Sequence, residues 1–224
     1  MTRRLIAWLY AATIFVSAFL LFEIQPIISR CLLPWFGGTP NVWTTCMLFF
    51  QAVLFGGYVY AHVVARRVSP AAQALLHLGL LGVTVTLLRI LPGAESQPDP
   101  HAAPVPQILA VLALTVGLPY FLLSTTGPLL QAWFSRSLPG ESPYRLYALS
   151  NAGSLLALVS YPFVFEPRFG MTVQSGRWDW GFSLFVILCG FAAWRMSRTR
   201  SEPQAESAPA ADRSATSRPG RPWE

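Results

Sequence analysis

Long apolar runs alternate with short polar breaks along this chain, and several of the runs reach about 20 residues. About 20 apolar residues match the hydrocarbon core of a bilayer. Within lipid, every backbone N–H and C=O must be satisfied inside the protein, which favours helices. The pattern predicts helices over Leu5–Ile28, Asn41–Ala65 and Ala72–Leu91, a fourth starting near Gln107, and two more over Tyr144–Phe165 and Trp178–Met196. The breaks are Ser29–Pro40 (with Pro34, Gly37, Gly38 and Pro40), Arg66-Arg67, Pro92–Pro106, Leu138–Pro143 and Glu166–Arg177. Proline and glycine mark such connections. The expected fold class is all-α: a polytopic membrane bundle of about six transmembrane helices over residues 1–196. Residues 197–224 are expected to form a disordered cytoplasmic tail. From 201 onward there is no Ile, Leu, Val or Phe to offset the entropy of ordering.

The N-terminal run resembles a signal peptide in outline. It exceeds the usual 7–15 apolar residues, however, and no clear small-x-small cleavage site follows, so it is read as a retained first helix.

Composition fits this picture. The chain has 224 residues, 53% hydrophobic and 12% charged, whereas soluble domains carry about 25% charged residues. All sixteen basic residues are arginine. A net charge of +6 raises nucleic acid as a partner, but the arginines sit at helix ends and in the tail, so the lipid bilayer is expected and nucleic acid is not. Arg3, Arg4, Arg66, Arg67, Arg136, Arg145, Arg195, Arg198 and Arg200 fall on one face. Arg30, Arg89, Arg168 and Arg177 fall on the other. The arginine-rich face is expected to be cytoplasmic, with both termini inside. Trp35, Trp43, Trp178 and Trp180 then read as an outer aromatic belt.

An internal echo links the two halves. After Pro26 come Arg30, Leu33-Pro34, Gly38 and Pro40; after Pro128 come Arg136, Leu138-Pro139, Gly140 and Pro143. Helices 1–3 and 4–6 then form two inverted three-helix repeats, as in many transporter halves.

Polar residues inside the apolar runs are the candidate chemistry. Glu23 lies about 27 Å along helix 1, toward its far end, and a carboxylate at membrane depth costs roughly 2.5 kcal/mol or more. Two readings stay open: a structural carboxylate paired with Arg30 or protonated, or a contact for a cation or polyamine or a proton. Gln25 lies beside Pro26, where a broken helix offers free carbonyls. Gln51 and Asn151 read either as interhelical hydrogen-bonding groups or as ligand-lining groups. Glu23, Gln25, Gln51 and Asn151 are therefore the candidate ligand-binding residues. No catalytic residue, metal ligand set or cofactor is expected. His62 and His77 lack further ligands. Ser124, Thr125 and Thr126 read as hydroxyls bonding a proline-interrupted backbone. Cys31 and Cys46, near one face, are read as buried apolar residues or a disulfide pair.

The segment FEIQPIISRCLLPWFGGTPNVWTTCMLFFQ with GYVYAH at 57–62, then STTGPLLQAWFSR at 124–136 and PYRLYALSNAGSLLALVSYPFVFEP at 143–167, resembles the membrane region of bacterial fused transporter/spermidine-synthase-like proteins. The resemblance covers most of residues 15–182. It implies helices related to a major-facilitator half, a multi-pass protein of the bacterial inner membrane, and a polyamine or similar small polar or cationic ligand. In that family a soluble, Rossmann-like aminopropyltransferase domain follows the helices. Here residues 197–224 follow helix 6, and no GxGxxG fingerprint is present. The chain is thus expected not to be an enzyme on its own. It is expected to bind or transport a ligand, or else to serve as a non-catalytic structural subunit anchoring a separate synthase-like soluble protein.

Overall fold

A computed structural model describes residues 2–93 and 96–198; the expected tail from 199 lies outside the described residues. Among the described residues there are six helices long and apolar enough to cross a membrane: α1 Arg3–Phe36, α2 Pro40–Arg67, α3 Pro70–Leu87, α4 Pro104–Ser137, α5 Tyr144–Arg168 and α6 Met171–Ser197. The protein is an all-α polytopic bundle.

Several helix ends differ from the sequence pattern; α3, for one, stops at Leu87 rather than Leu91. The first helix does not stop at Ile28. It runs through Pro26 and Pro34 to Phe36, where Gly37 turns the chain at φ 75°. Buried Ser29 and Leu32 hold this extra length against the bundle, so the loop shrinks to residues 37–39. The helix at Pro26 is continuous rather than broken.

The last helix starts at Met171, not Trp178, and Glu166–Arg168 belong to α5. The Gln174 side chain donates to the carbonyl of Phe169 (2.6 Å) and that of Phe165 (3.4 Å), satisfying the end of α5. Polar side chains at 174–179 hid this start. Two π-helical turns, Ala113–Gly117 and Tyr161–Phe165, lie at Pro119 and Pro162, where the missing proline N–H disturbs the ladder.

The helices pack chiefly as α1 against α5 and α2 against α4, and then α1 against α6, α1 against α4 and α3 against α6. A two-fold axis exchanging helices 1–3 with 4–6 interchanges the first two pairs and maps the last two onto themselves. The relation is incomplete, because α1 packs on α6 far more than α4 packs on α3.

α1 is the central helix, with Tyr10, Ile14, Ile24, Ile28 and Leu32 at 0% exposure. Small residues set its distance from two neighbours. A Cβ on Gly153 of α5 would lie 2.7 Å from the Phe15 carbonyl oxygen, and one on Gly181 of α6 would lie 2.8 Å from a Leu20 methyl. Trp178 is not a belt residue. It is buried, stacks on Phe182 and donates its indole N–H to the Leu20 carbonyl (3.0 Å). Trp180, by contrast, is exposed. Cys31, Cys46 and Cys189 are free thiols, so no Cys31–Cys46 bridge forms.

Candidate functional site

A cavity of about 650 Å³ lies between α1, α2, α4 and α5, on the half of the bundle nearer the arginine-rich face. Its polar lining comes from all four helices: Ser17 from α1, Tyr58 and His62 from α2, Ser124 and Gln131 from α4, and Tyr147, Ser150, Asn151 and Ser154 from α5. Helical spacing explains the convergence. Tyr147, Ser150, Asn151 and Ser154 are three or four residues apart and share a face, as do Tyr58 and His62. Gly57 lets α4 approach, since a Cβ there would collide with the Ser124 side chain.

Hydrogen bonding gives the cavity a chemical bias. The hydroxyls of Ser17, Ser124 and Ser154 donate to the carbonyls of Ile14 (3.0 Å), Phe121 (2.6 Å) and Ser150 (3.0 Å). Their protons are committed to the backbone, which leaves lone pairs as acceptors. Pro128, also in the lining, supplies no N–H to the Ser124 carbonyl. Asn151 and Gln131 add amide oxygens, and Tyr58 and Tyr147 add ring faces. Among the described residues no carboxylate lines the cavity.

A second crevice, about 420 Å³, continues along the same faces of α1, α2 and α5 toward the opposite side of the membrane. Gln25, Ser29, Arg30, Trp43, Tyr161 and Glu166 line it. On α1 the two spaces are separated by a single turn, from Leu21-Phe22 to Gln25-Pro26. In that turn the Gln25 amide donates to the Tyr120 hydroxyl of α4 (3.3 Å) and to the Leu21 carbonyl (3.4 Å). At the far end Arg30 Nη1 lies 3.6 Å from Glu166 Oε1, tying α1 to α5.

The four residues singled out by sequence do not converge. Asn151 lines the larger cavity and Gln25 the smaller crevice. Gln51 is exposed on α2 and lines neither. Glu23 is buried on the opposite face of α1, in an apolar crevice of about 290 Å³ with Phe15, Phe19, Leu156, Phe165, Arg177 and Gly181. Residues two apart on a helix point roughly 200° apart, so Glu23 and Gln25 cannot share a pocket. The expected Glu23–Arg30 pair does not form, because Arg30 takes Glu166 instead.

His62 faces the cavity, whereas His77 is fully buried between Tyr60 and Trp133. Among the described residues no three His, Cys, Asp or Glu side chains gather to hold a metal ion. Thr125 and Thr126 both donate to the Leu122 carbonyl (2.7 and 3.0 Å), the backbone role expected of them. The sequence reading missed Ser17, Tyr58, Gln131, Tyr147, Ser150 and Ser154. For Tyr58 and Tyr147 the available signal was a spacing of four residues from His62 and Asn151. Comparison with protein-family models, curated proteins and solved structures finds no match to this chain.

Proposed function

We propose that this membrane protein binds a small, hydrogen-bond-donating polar solute, such as an amine or polyol, and passes it across the bilayer along the common face of α1, α2 and α5. The observation that supports this reading is the pair of polar crevices on that face, lying toward opposite ends of the bundle and separated by one turn of α1. Polar groups inside a bundle at membrane depth are costly and tend to mark a solute path. An acceptor-rich lining with two tyrosine rings suits a donor-rich or singly cationic solute. A polyamine fits this class, although the nearest buried carboxylate, Glu23, faces away from the path.

The protein is read as a transporter-like protein of a bacterial inner membrane, with its arginine-rich face in the cytoplasm, and not as an aminopropyltransferase. Synthesis of spermidine by the purified chain from putrescine and decarboxylated S-adenosylmethionine would contradict that. A second reading, a subunit that seats a separate synthase-like partner, draws on the open flank of the cavity, where Tyr58, His62, Tyr147 and Asn151 are all exposed. The test is thermal stability of the detergent-purified protein against putrescine, spermidine and glycerol, followed by uptake into proteoliposomes. Stabilisation that needs a several-fold higher solute concentration in Asn151→Leu supports solute binding. No stabilisation and no uptake by any of the three would leave the subunit reading as the better one.

A further inference from the structure

A cavity of about 580 Å³ opens at the arginine-rich membrane face, between the start of α1, the end of α4 and the α4–α5 loop. It is separate from the solute path and shares no lining residue with it. Among the described residues, Arg3, Arg4 and Arg145 stand around its mouth, with one acid, Glu141, on the rim. Its deeper wall is apolar: Ala7, Ala11, Phe134, Leu146 and Leu149. Trp8 lines the same space and is 72% exposed, the placement of an interfacial ring at headgroup level.

Among the described residues, one of these arginines is held by a backbone carbonyl and none is paired with a carboxylate. Arg3 donates to the Pro139 carbonyl (3.2 Å), which pins the start of α1 to the loop. Among the described residues, Arg4 and Arg145 have no carboxylate within salt-bridge distance and no hydrogen-bond acceptor. A guanidinium presents a planar fork of donors that matches phosphate oxygens. Basic pockets between helix ends, backed by apolar surface, suit an anionic headgroup with its acyl chains running into the bilayer. A free anion would leave the apolar wall uncovered, whereas a phospholipid covers both parts. We propose that this cavity is a binding site for one anionic phospholipid, with its phosphate held between Arg4 and Arg145 and Arg3 fixing the mouth.

The test is native mass spectrometry of the full chain extracted from mixed phosphatidylglycerol/phosphatidylcholine vesicles, with thermal unfolding alongside. The wild type should retain phosphatidylglycerol over phosphatidylcholine by about tenfold and gain thermal stability when phosphatidylglycerol is added. Arg4→Gln with Arg145→Gln should abolish that preference, while Arg66→Gln with Arg67→Gln, an equal charge loss on the same face, should keep it. Equal loss in both double variants would mean diffuse surface attraction and overturn the site. Equal stabilisation by inorganic phosphate or glycerol 3-phosphate would mean a soluble anion and overturn the lipid assignment. If the Arg4/Arg145 variant fails to fold, the wild-type preference still decides: no selectivity for phosphatidylglycerol overturns the proposal.

Discussion

The two faces of α1 hold polar groups of very different kinds. On one face Ser17, Gln25 and Ser29 are uncharged, and each adjoins space lined by polar groups from other helices. On the other face Glu23 is the more costly group, yet it sits among Phe15, Phe19, Leu156 and Phe165, with Trp178 fastened to the neighbouring backbone. Under the proposed function, convergence of polar groups from several helices is a better guide to the site than the cost of burying one group. By this account the Glu23 face is structural and the Gln25 face carries the solute.

The largest expected effect breaks the scaffold that both faces share. Gly153→Val would push a branched side chain into the Phe15 carbonyl, a rigid neighbour, and should cost about 3 kcal/mol or more. The variant should unfold early in a thermal scan. Gly176→Val, where a Cβ meets open space, should keep most of the stability.

Next come substitutions that separate the faces. Asn151→Leu should weaken solute binding by about threefold to tenfold, the loss expected for one hydrogen bond of about 0.5–1.5 kcal/mol, with the thermal midpoint nearly unchanged. Glu23→Gln should leave binding where it was. A sharp loss of binding in Glu23→Gln would reverse the assignment of the faces.

An effect of similar size lies on the structural face. Trp178→Phe keeps the stack on Phe182 but leaves the Leu20 carbonyl without its indole donor. Stability should fall by about 1–2 kcal/mol with solute uptake per folded molecule retained.

The smallest effect concerns the ion pair. The Arg30 and Glu166 side chains are 40% and 46% exposed, so a double-mutant cycle between them should give a coupling of about 1 kcal/mol or less. The cycle between Glu23 and Arg30 should give none, and a clear coupling there would contradict the geometry.

The six spans were legible because hydropathy summed over about 20 residues survives local irregularity. Helix ends were not, because they depend on contacts that no window contains. Gln174 caps α5 from the next helix, and Ile27, Ile28 and Leu32 carry α1 past Pro26. At the site, Asn151 and Gln25 were legible as amides in apolar runs. Glu23 was grouped with Gln25 because they are neighbours in sequence, although helical geometry sets them on opposite faces. Ser17, Ser150 and Ser154 were not legible, because serines in such helices usually bond their own backbone, as Ser17 and Ser154 do here. What brings these serines into a site is the position of three other helices.

The most direct test asks whether the cavity holds water. In a variant with Cys31, Cys46 and Cys189 replaced, single cysteines would be placed at Ser150 and Ser154, which line the cavity, at Leu155, on the outer surface of the same helix, and at Leu20, beside Glu23 on the opposite face of α1. Each would be exposed in proteoliposomes to a charged, membrane-impermeant thiol reagent. The account predicts fast labelling at 150 and 154, slowed by a bound solute, and little labelling at 155 and 20. Equal inertness at all four positions would show that the cavity is not aqueous and would contradict the account.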